Sequence, residues 1–242
     1  SNNDKEKLEV IYRNANRMNY LINELLTFSK IEMKQMRISV RKGDIMHFLE
    51  ELSHIFDIVA GEREIDFIVN LEDTEEEVWF SPSKLERILY NLLSNAFKYT
   101  QPGGYVKLSA KLIKEEKETF VQISVKDNGR GIPKEAQEQI FESYYQVEKR
   151  DHREGFGLGL SLTRSLIHMH KGEIRVESEI NKGSDFIVTL NVSEDAYNPD
   201  ERSSENITTE EIQKYNQRIK ETIELIPEKL TNKEKDPARE SI

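Results

Sequence analysis

The sequence predicts an α/β domain that follows one long helix. Residues 4–36 contain neither glycine nor proline, and their apolar side chains recur at alternating steps of three and four, which is typical of an amphipathic helix. Beyond Arg37, segments with a helical period alternate with segments in which every second residue is apolar, the pattern of strands. A chain that mixes the two periods in this way is predicted to combine a sheet with packed helices.

Composition excludes several classes of function. The 242 residues include no cysteine, which excludes disulfides and thiolate metal sites, and the formal charge of −10 disfavours direct binding to nucleic acid. No run approaches the roughly 18 apolar residues of a membrane span, and the start of the chain is too polar for a signal peptide.

The long helix carries more apolar surface than it can bury alone. Its stripe is wider than the seam of a two-stranded coiled coil, because Leu21 and Phe28 extend it. We therefore expect it to join a helical bundle, with partner helices from sequence outside this chain, from a second copy of the chain, or from both. The stripe comprises Leu8, Ile11, Ala15, Met18, Ile22 and Leu25.

The segments after the long helix predict the first part of the sheet. We expect a short strand at 37–41, then a helix that Asp44 caps and Gly61 ends, then a strand at 65–69. An acidic loop and a short apolar segment, VWF, lead to the next helix.

The helix predicted at 82–99 has an unusual polar face. Ser81, followed by proline, forms its expected start, and the sequence QPGG ends it. Asn91, Asn95 and Lys98 lie away from its apolar face, although asparagine is a poor helix former. A solvated face would explain one such asparagine. The alternative is a magnesium–phosphate site, because an amide oxygen is a hard ligand for Mg²⁺ and an ammonium offsets phosphate charge.

The motif DNGRGIP follows directly on an apolar strand. This places the carboxylate of Asp127 at the strand end, where it can accept a hydrogen bond from an amine such as that of adenine. The two glycines that flank Arg130 allow close approach of a ligand or a positive φ. An ordinary Asp-Asn-Gly turn is the alternative interpretation.

The motif GFGLGLSL places glycines at the start of a helix. Gly155, Gly157 and Gly159 precede or open that helix, and the free N–H groups of a helix N-terminus bind phosphate. The spacing is neither that of a Walker loop nor that of a dinucleotide-binding loop, and a mobile hinge is the alternative.

The remaining segments complete the sheet and lead into a polar region. Strands are predicted at 106–112 and 121–125, and two final strands, EIRVES and DFIVTL, are joined by the hairpin signal NKGS. From about Asn198 the chain is polar, and a capping box from Thr208 to Glu211 begins a predicted amphipathic helix at 209–226. The rest is expected to be linker or tail.

Taken together, the amide helix, the strand-end aspartate and the glycine-opened helix resemble the ATP-binding domain shared by sensor histidine kinases, Hsp90-type chaperones, type II topoisomerases and mismatch-repair ATPases. The resemblance covers roughly residues 37–193. It implies a two-layer α/β sandwich of the Bergerat type, in which helices pack on one face of a mixed sheet, with ATP and Mg²⁺ as ligands.

The resemblance also implies roles for particular residues. Asn95 would bind Mg²⁺, and Asp127 would accept a hydrogen bond from the adenine amine. Phe141 and Tyr145 would form an aromatic box below a lid at 142–156. The residues implied to line the ATP site are Asn91, Asn95, Lys98, Tyr99, Asp127, Gly129, Gly131, Ile132, Tyr145, Gly155, Gly157, Leu158, Gly159 and Leu160. Phe156 and Ser81 depart from the family pattern, which usually has a small residue and an aspartate there.

Two features favour the histidine kinase branch. Relatives that hydrolyse ATP usually carry a glutamate at the position of Asn91, and an asparagine cannot act as a general base. The segment LLTFSKIEMKQMRI resembles the second helix of a dimerisation and histidine-phosphotransfer hairpin. The alternatives are an ATP-hydrolysing relative of the chaperone or topoisomerase type and a degenerate module that binds partners without nucleotide.

The organisation that follows is a hairpin helix at 1–36, an ATP-binding domain at 37–195 and a polar segment at 196–242. The phosphoacceptor histidine of such a hairpin is expected to be followed directly by an acidic residue. None of the five histidines of the chain is, so we expect the phosphoacceptor histidine to lie outside the chain. The resemblance further implies a homodimer through the long helix, a response regulator receiver domain as partner, and a cytoplasmic position in a membrane-anchored bacterial sensor. The polar segment is then either a linker to the next domain of a hybrid sensor kinase or a disordered C-terminus.

Overall fold

The computed structural model describes residues 2–74, 76–146 and 157–223. Helices and strands follow one another along these ranges in the order α1, β1, α2, β2, β3, α3, β4, β5, α4, β6, β7 and α5. Their bounds are Asn2–Glu32 (α1), Arg41–Asp44 (β1), Ile45–Arg63 (α2), Asp66–Leu71 (β2), Glu77–Phe80 (β3), Pro82–Tyr99 (α3), Tyr105–Lys114 (β4), Thr119–Asp127 (β5), Gly159–Met169 (α4), Glu173–Glu179 (β6), Gly183–Asn191 (β7) and Thr209–Ile223 (α5).

A five-stranded mixed sheet forms the centre of the domain. Its strand order is β2-β4-β5-β7-β6; β2 and β4 are parallel, and the other neighbouring pairs are antiparallel. The short strands β1 and β3 pair separately as an antiparallel ribbon.

Helices α2, α3 and α4 pack on one face of this sheet, which confirms the predicted architecture. Strand β5 shows the separation of the two faces: Val121, Ile123 and Val125 are buried, whereas the residues between them are partly exposed. The rings of Phe56 on α2 and Phe97 on α3 stack with centroids 5.7 Å apart and join the two helices above the sheet.

A buried histidine fastens the end of α4 to the start of α3. The Nε2 atom of His170 accepts a hydrogen bond from the backbone N–H of Ser81 at 3.2 Å, so Nδ1 carries the proton and donates it to the carbonyl of Leu166 at 3.0 Å. Burial lowers the pKa of His170 to about 4, and the ring is therefore neutral at pH 7, as both bonds require. Ser81 is the N-cap residue of α3, but its side chain makes no capping bond.

Two predicted boundaries are displaced. Strand β1 begins at Arg41 and not at Arg37, because its partner β3 pairs with Arg41–Asp44. Helix α2 continues past Gly61 to Arg63, and it ends where Glu64 adopts a left-handed φ of 55°.

Helix α1 leaves its apolar stripe largely exposed while its C-terminal end touches the domain. Leu8, Ile11 and Met18 are each more than 60% exposed. Near the other end, the ring of Phe28 packs edge-to-face on Tyr144 at 6.2 Å. The exposed stripe leaves the bundle prediction open, and none of the described helices has the length and apolar character needed to cross a bilayer.

The segment after β7 folds back onto the domain. Val40 donates its N–H to the carbonyl of Glu201 at 2.8 Å, and Ser203 donates to the carbonyl of Val40 at 2.9 Å. Helix α5 then packs on α2 and α3, and its apolar side chains Ile212, Tyr215 and Ile219 are buried there. Residues 224–226 of the predicted helix lie outside the described ranges.

Candidate nucleotide-binding site

The polar face of α3 forms the floor of the candidate site. Asn91, Asn95 and Tyr99 lie at successive turns of the helix and span about 12 Å along its axis. Asn91 contacts the start of α4, and Tyr99 contacts the turn after β5. The two ends of one helix face therefore contact the two glycine motifs.

The start of α4 rests on the amide of Asn91. The Nδ2 atom of Asn91 donates to the hydroxyl of Thr163 at 2.7 Å. A Cβ on Gly159 would lie only 2.6 Å from Asn91 Oδ1, so a side chain at residue 159 would displace the Asn91 amide. The first N–H groups of α4, which have no partner within the helix, begin beside this end of α3.

The turn after β5 contacts the other end of α3. Arg130 donates its backbone N–H to the carbonyl of Tyr99 at 3.4 Å, and its guanidinium lies 4.4 Å from the centre of the Tyr99 ring. The ammonium of Lys98 lies 3.1 Å from the Tyr99 hydroxyl. A Cβ on Gly129 would clash with the Tyr99 backbone, so this glycine permits the close contact.

Asp127 offers a buried carboxylate at the end of β5. The residue is 5% exposed, and its carboxylate accepts hydrogen bonds from the backbone N–H groups of Gly129, at 2.8 Å, and of Ser184. Burial raises the pKa of Asp127 to about 6, which leaves the group mostly ionised at pH 7. An ionised carboxylate with remaining acceptor capacity suits an amine donor.

Asn95 lies between these two ends. Among the residues that the structure describes, its half-buried amide has no hydrogen-bond partner. The described ranges also contain no cluster of three or more His, Cys, Asp or Glu side chains able to hold a metal ion. One amide oxygen fits Mg²⁺ that takes its other ligands from phosphate and water, which is the usual arrangement for this ion beside nucleotides.

Other predicted site residues surround this face or lie outside the described ranges. Gly131 has a φ of +69° and lies against the backbone of Glu179 on β6. The absence of a side chain at residue 131 therefore permits the contact between the turn and the sheet. Leu158 is buried, and three other predicted residues are partly buried against the core: Ile132, Tyr145 and Leu160. The carbonyl of Gly157 accepts a hydrogen bond from the backbone N–H of Tyr144 at 3.0 Å. Residues 147–156 of the lid predicted at 142–156, which include Gly155 and Phe156, are among the residues that the structure does not describe.

Sequence reasoning missed Gly183, Ser184 and Thr163. Gly183 has φ +104° and lies against the backbone of Asp127, and Ser184 is the register partner of Asp127 across β5 and β7. The NKGS segment was interpreted only as a hairpin signal. A glycine that opens a buried strand was the available clue, but its neighbour in space depends on the strand order.

Known proteins with similar sequences match most of this chain. The family model described as "Histidine kinase-, DNA gyrase B-, and HSP90-like ATPase" matches residues 80–194, which include Asn91, Asn95, Asp127 and Ser184. The chain is 32% identical over 245 residues to histidine kinase P4 of Formosa agariphila, with 97% of this chain and 18% of that protein covered. It is 34% identical over 190 residues to sensor histidine kinase WalK of Bacillus subtilis, with 78% and 31% covered.

The chain carries a histidine kinase ATPase domain. The histidine kinase ThkA catalytic domain, solved in a nucleotide-free form, superposes with a TM-score of 0.55 at 26% identity, covering 64% of this chain and 99% of that one. Full-length ShkA, solved with AMPPNP, shares the fold at 24% identity with a TM-score of 0.68, covering 78% and 39%. The chain spans less than a third of the length of P4 and WalK.

Proposed function

We propose that the domain binds Mg–ATP along the polar face of α3. Asp127 accepts a hydrogen bond from the adenine amine, Asn95 offers its amide oxygen to Mg²⁺, and the start of α4 faces the phosphates. The observation that carries the proposal is the amide of Asn95, which makes no hydrogen bond among the described residues and lies between the glycine-opened helix at one end and the buried Asp127 turn at the other. The 12 Å span suits a base at one end and a polyphosphate at the other.

The reaction proposed is transfer of the ATP γ-phosphoryl group to a histidine of a dimerisation helix. An imidazole nitrogen forms a bond to the γ-phosphorus, the bond to the bridging oxygen breaks, and ADP leaves. The domain supplies position and charge neutralisation, since the chemistry needs little else. Asn91, bound to Thr163, is an amide and offers no base to activate water, which disfavours the chaperone or topoisomerase type of ATP hydrolysis.

The whole protein is proposed to work as a sensor. The exposed stripe of α1 would pair with the same helix of a second copy, and the phosphorylated histidine would pass its phosphoryl group to a response regulator receiver domain. The domain would then act on the cytoplasmic side of a membrane-anchored protein. These proposals rest on resemblance to the sensor kinases and on the unburied face of α1.

Calorimetric titration with AMP-PNP, a non-hydrolysable ATP analogue, tests the proposal. We expect saturable binding that needs Mg²⁺, slow steady-state hydrolysis of ATP, and no acid-labile phosphate retained on this chain. Addition of a longer relative's dimerisation hairpin as phosphoacceptor should yield phosphohistidine on the hairpin. Rapid hydrolysis without acceptor would favour the ATPase alternative, and absence of any binding would favour the degenerate module.

Affinity for adenosine should decrease as the pH falls below 6. The pKa of Asp127 is raised to about 6, so at pH 5 about ten in eleven carboxyl groups are protonated and must lose that proton before accepting the adenine amine. We expect a Kd about tenfold higher at pH 5 than at pH 7. Adenosine is the appropriate probe because it has no phosphate that titrates in this range.

Asp127→Asn provides the matched variant for this measurement. It keeps the size of the side chain and removes the titrating proton, so its weaker adenosine binding should not change between pH 5 and pH 7. A wild-type Kd that is constant over that range would contradict the role given to Asp127.

A further inference from the structure

A hydroxyl on α4 holds the amide of Asn91, which lies next to the predicted metal ligand. Thr163 lies in the second turn of α4 and is 1% exposed. Its Oγ1 receives the Nδ2–H of Asn91 at 2.7 Å. Neither the apolar spacing of α4 nor the glycine motif before it indicates this contact, because Thr163 lies among residues that pack the core.

The bond also fixes which atom of the Asn91 amide faces the site. With Nδ2 on Thr163, Oδ1 lies against Gly159, the first residue of α4. A helix N-terminus carries partial positive charge and unpaired N–H groups, so an oxygen is favoured there and an amino group is not. The reversed amide would place its amino group at this end and is disfavoured on the same ground.

This arrangement links the two helices that border the phosphate region. Asn91 lies one turn before Asn95 on α3, and Thr163 lies one turn after Gly159 on α4. The contact therefore sets how far the start of α4 stands from the Asn95 amide. The Asn91–Thr163 hydrogen bond is part-buried, and loss of one partner leaves the other with a polar group that water reaches only in part.

We infer that Thr163 is a positioning residue for metal-dependent nucleotide binding, which acts through the amide of Asn91 to align the start of α4 with Asn95. The inference rests on the proposed function, because it assumes that Mg²⁺ and phosphates occupy the space between α4 and Asn95. It separates two parts of the site: the phosphate and metal end depends on Thr163, and the adenine end at Asp127 does not.

The test compares two ligands and two variants. Thr163→Val keeps the shape of the side chain and removes the hydroxyl, and Thr163→Ser keeps the hydroxyl. We expect Thr163→Val to raise the Kd for AMP-PNP with Mg²⁺ about five- to tenfold. The Kd for adenosine should stay unchanged, and Thr163→Ser should bind both ligands as the wild type does. Ser165→Ala is the control, because the Ser165 hydroxyl donates to the carbonyl of Ser161 within its own helix.

A double-mutant cycle identifies the route of the effect. If Thr163 acts through Asn91, the variant with both Asn91→Ala and Thr163→Val should bind Mg–AMP-PNP as Asn91→Ala alone does. Additive losses, an equal loss for adenosine and AMP-PNP, or an unchanged Kd in Thr163→Val would each overturn the inference. If Thr163→Val does not fold, the test uses Thr163→Ser, which keeps the hydroxyl. Weaker binding of Mg–AMP-PNP by Thr163→Ser than by the wild type would also overturn the inference.

The outcome also distinguishes this inference from the proposed function. A wild-type chain that binds neither ligand would refute both. A wild-type chain that binds Mg–AMP-PNP, with Thr163→Val indistinguishable from it, would refute the inference alone.

Discussion

Replacement of Asn95 by alanine is expected to abolish Mg²⁺-dependent nucleotide binding while the domain stays folded. The Asn95 amide makes no hydrogen bond among the described residues, so its removal leaves none of their polar groups without a partner. Its oxygen would be the protein's direct ligand to Mg²⁺, and the described ranges contain no acidic or histidine cluster to replace it. Calorimetry with Mg–AMP-PNP should show no heat of binding, and thermal unfolding of the free protein should be unchanged.

Neighbouring variants make this experiment specific. Ser94→Ala changes the adjacent residue of α3, whose hydroxyl bonds the carbonyl of Asn91 at 3.2 Å, and it should bind nucleotide normally. Asn95→Asp retains an oxygen at the same position and should recover part of the binding. Adenosine affinity should be equal in all three variants, because Asp127 remains. Unchanged Mg–AMP-PNP affinity in Asn95→Ala would remove Asn95 from the metal site.

Local chemistry explains why much of the site could be predicted from the sequence. Two asparagines one turn apart on a helix contradict ordinary propensity, and a DNGRGIP motif directly after an apolar strand fixes where its carboxylate stands. Each of these signals lies within about seven residues. The bounds of α3 were predicted for the same reason, since Pro82 and the QPGG sequence act on the backbone next to them.

Other features depend on contacts between distant segments and could not be read from local patterns. Ser184 meets Asp127 only because β7 lies beside β5, and that neighbour relation skips β6. Thr163 contacts Asn91 because α4 packs against α3 with its second turn beside Asn91. In both cases the residue itself carries no signal: a serine after a turn and a threonine in an amphipathic helix are common, and the tertiary arrangement gives them their partners.

The region after β7 is polar in composition and contains the predicted amphipathic helix. Residues 198–223 are polar on average, but the few apolar residues of α5 share one face and meet α2 and α3. Arg41 on β1 forms a bidentate ion pair with Glu211. The side chain of Arg41 is 13% exposed and that of Glu211 is 28% exposed. The ring of Tyr215 packs edge-to-face on Phe48 at 5.9 Å. We therefore expect residues 197–223 to belong to the folded ATPase domain.

The variant Ile219→Asp should destabilise the domain strongly. Ile219 is 2% exposed on the face of α5 that meets α2 and α3, and the substitution removes its apolar contacts and buries a carboxylate. We expect a loss of about 3 kcal/mol or more in the free energy of unfolding, and a decrease of roughly 6–12 °C in Tm. Gln213→Asp, on the exposed face of the same helix, should change stability by less than about 0.5 kcal/mol. Equal unfolding curves for the two variants would mean that α5 is not docked on the domain in solution.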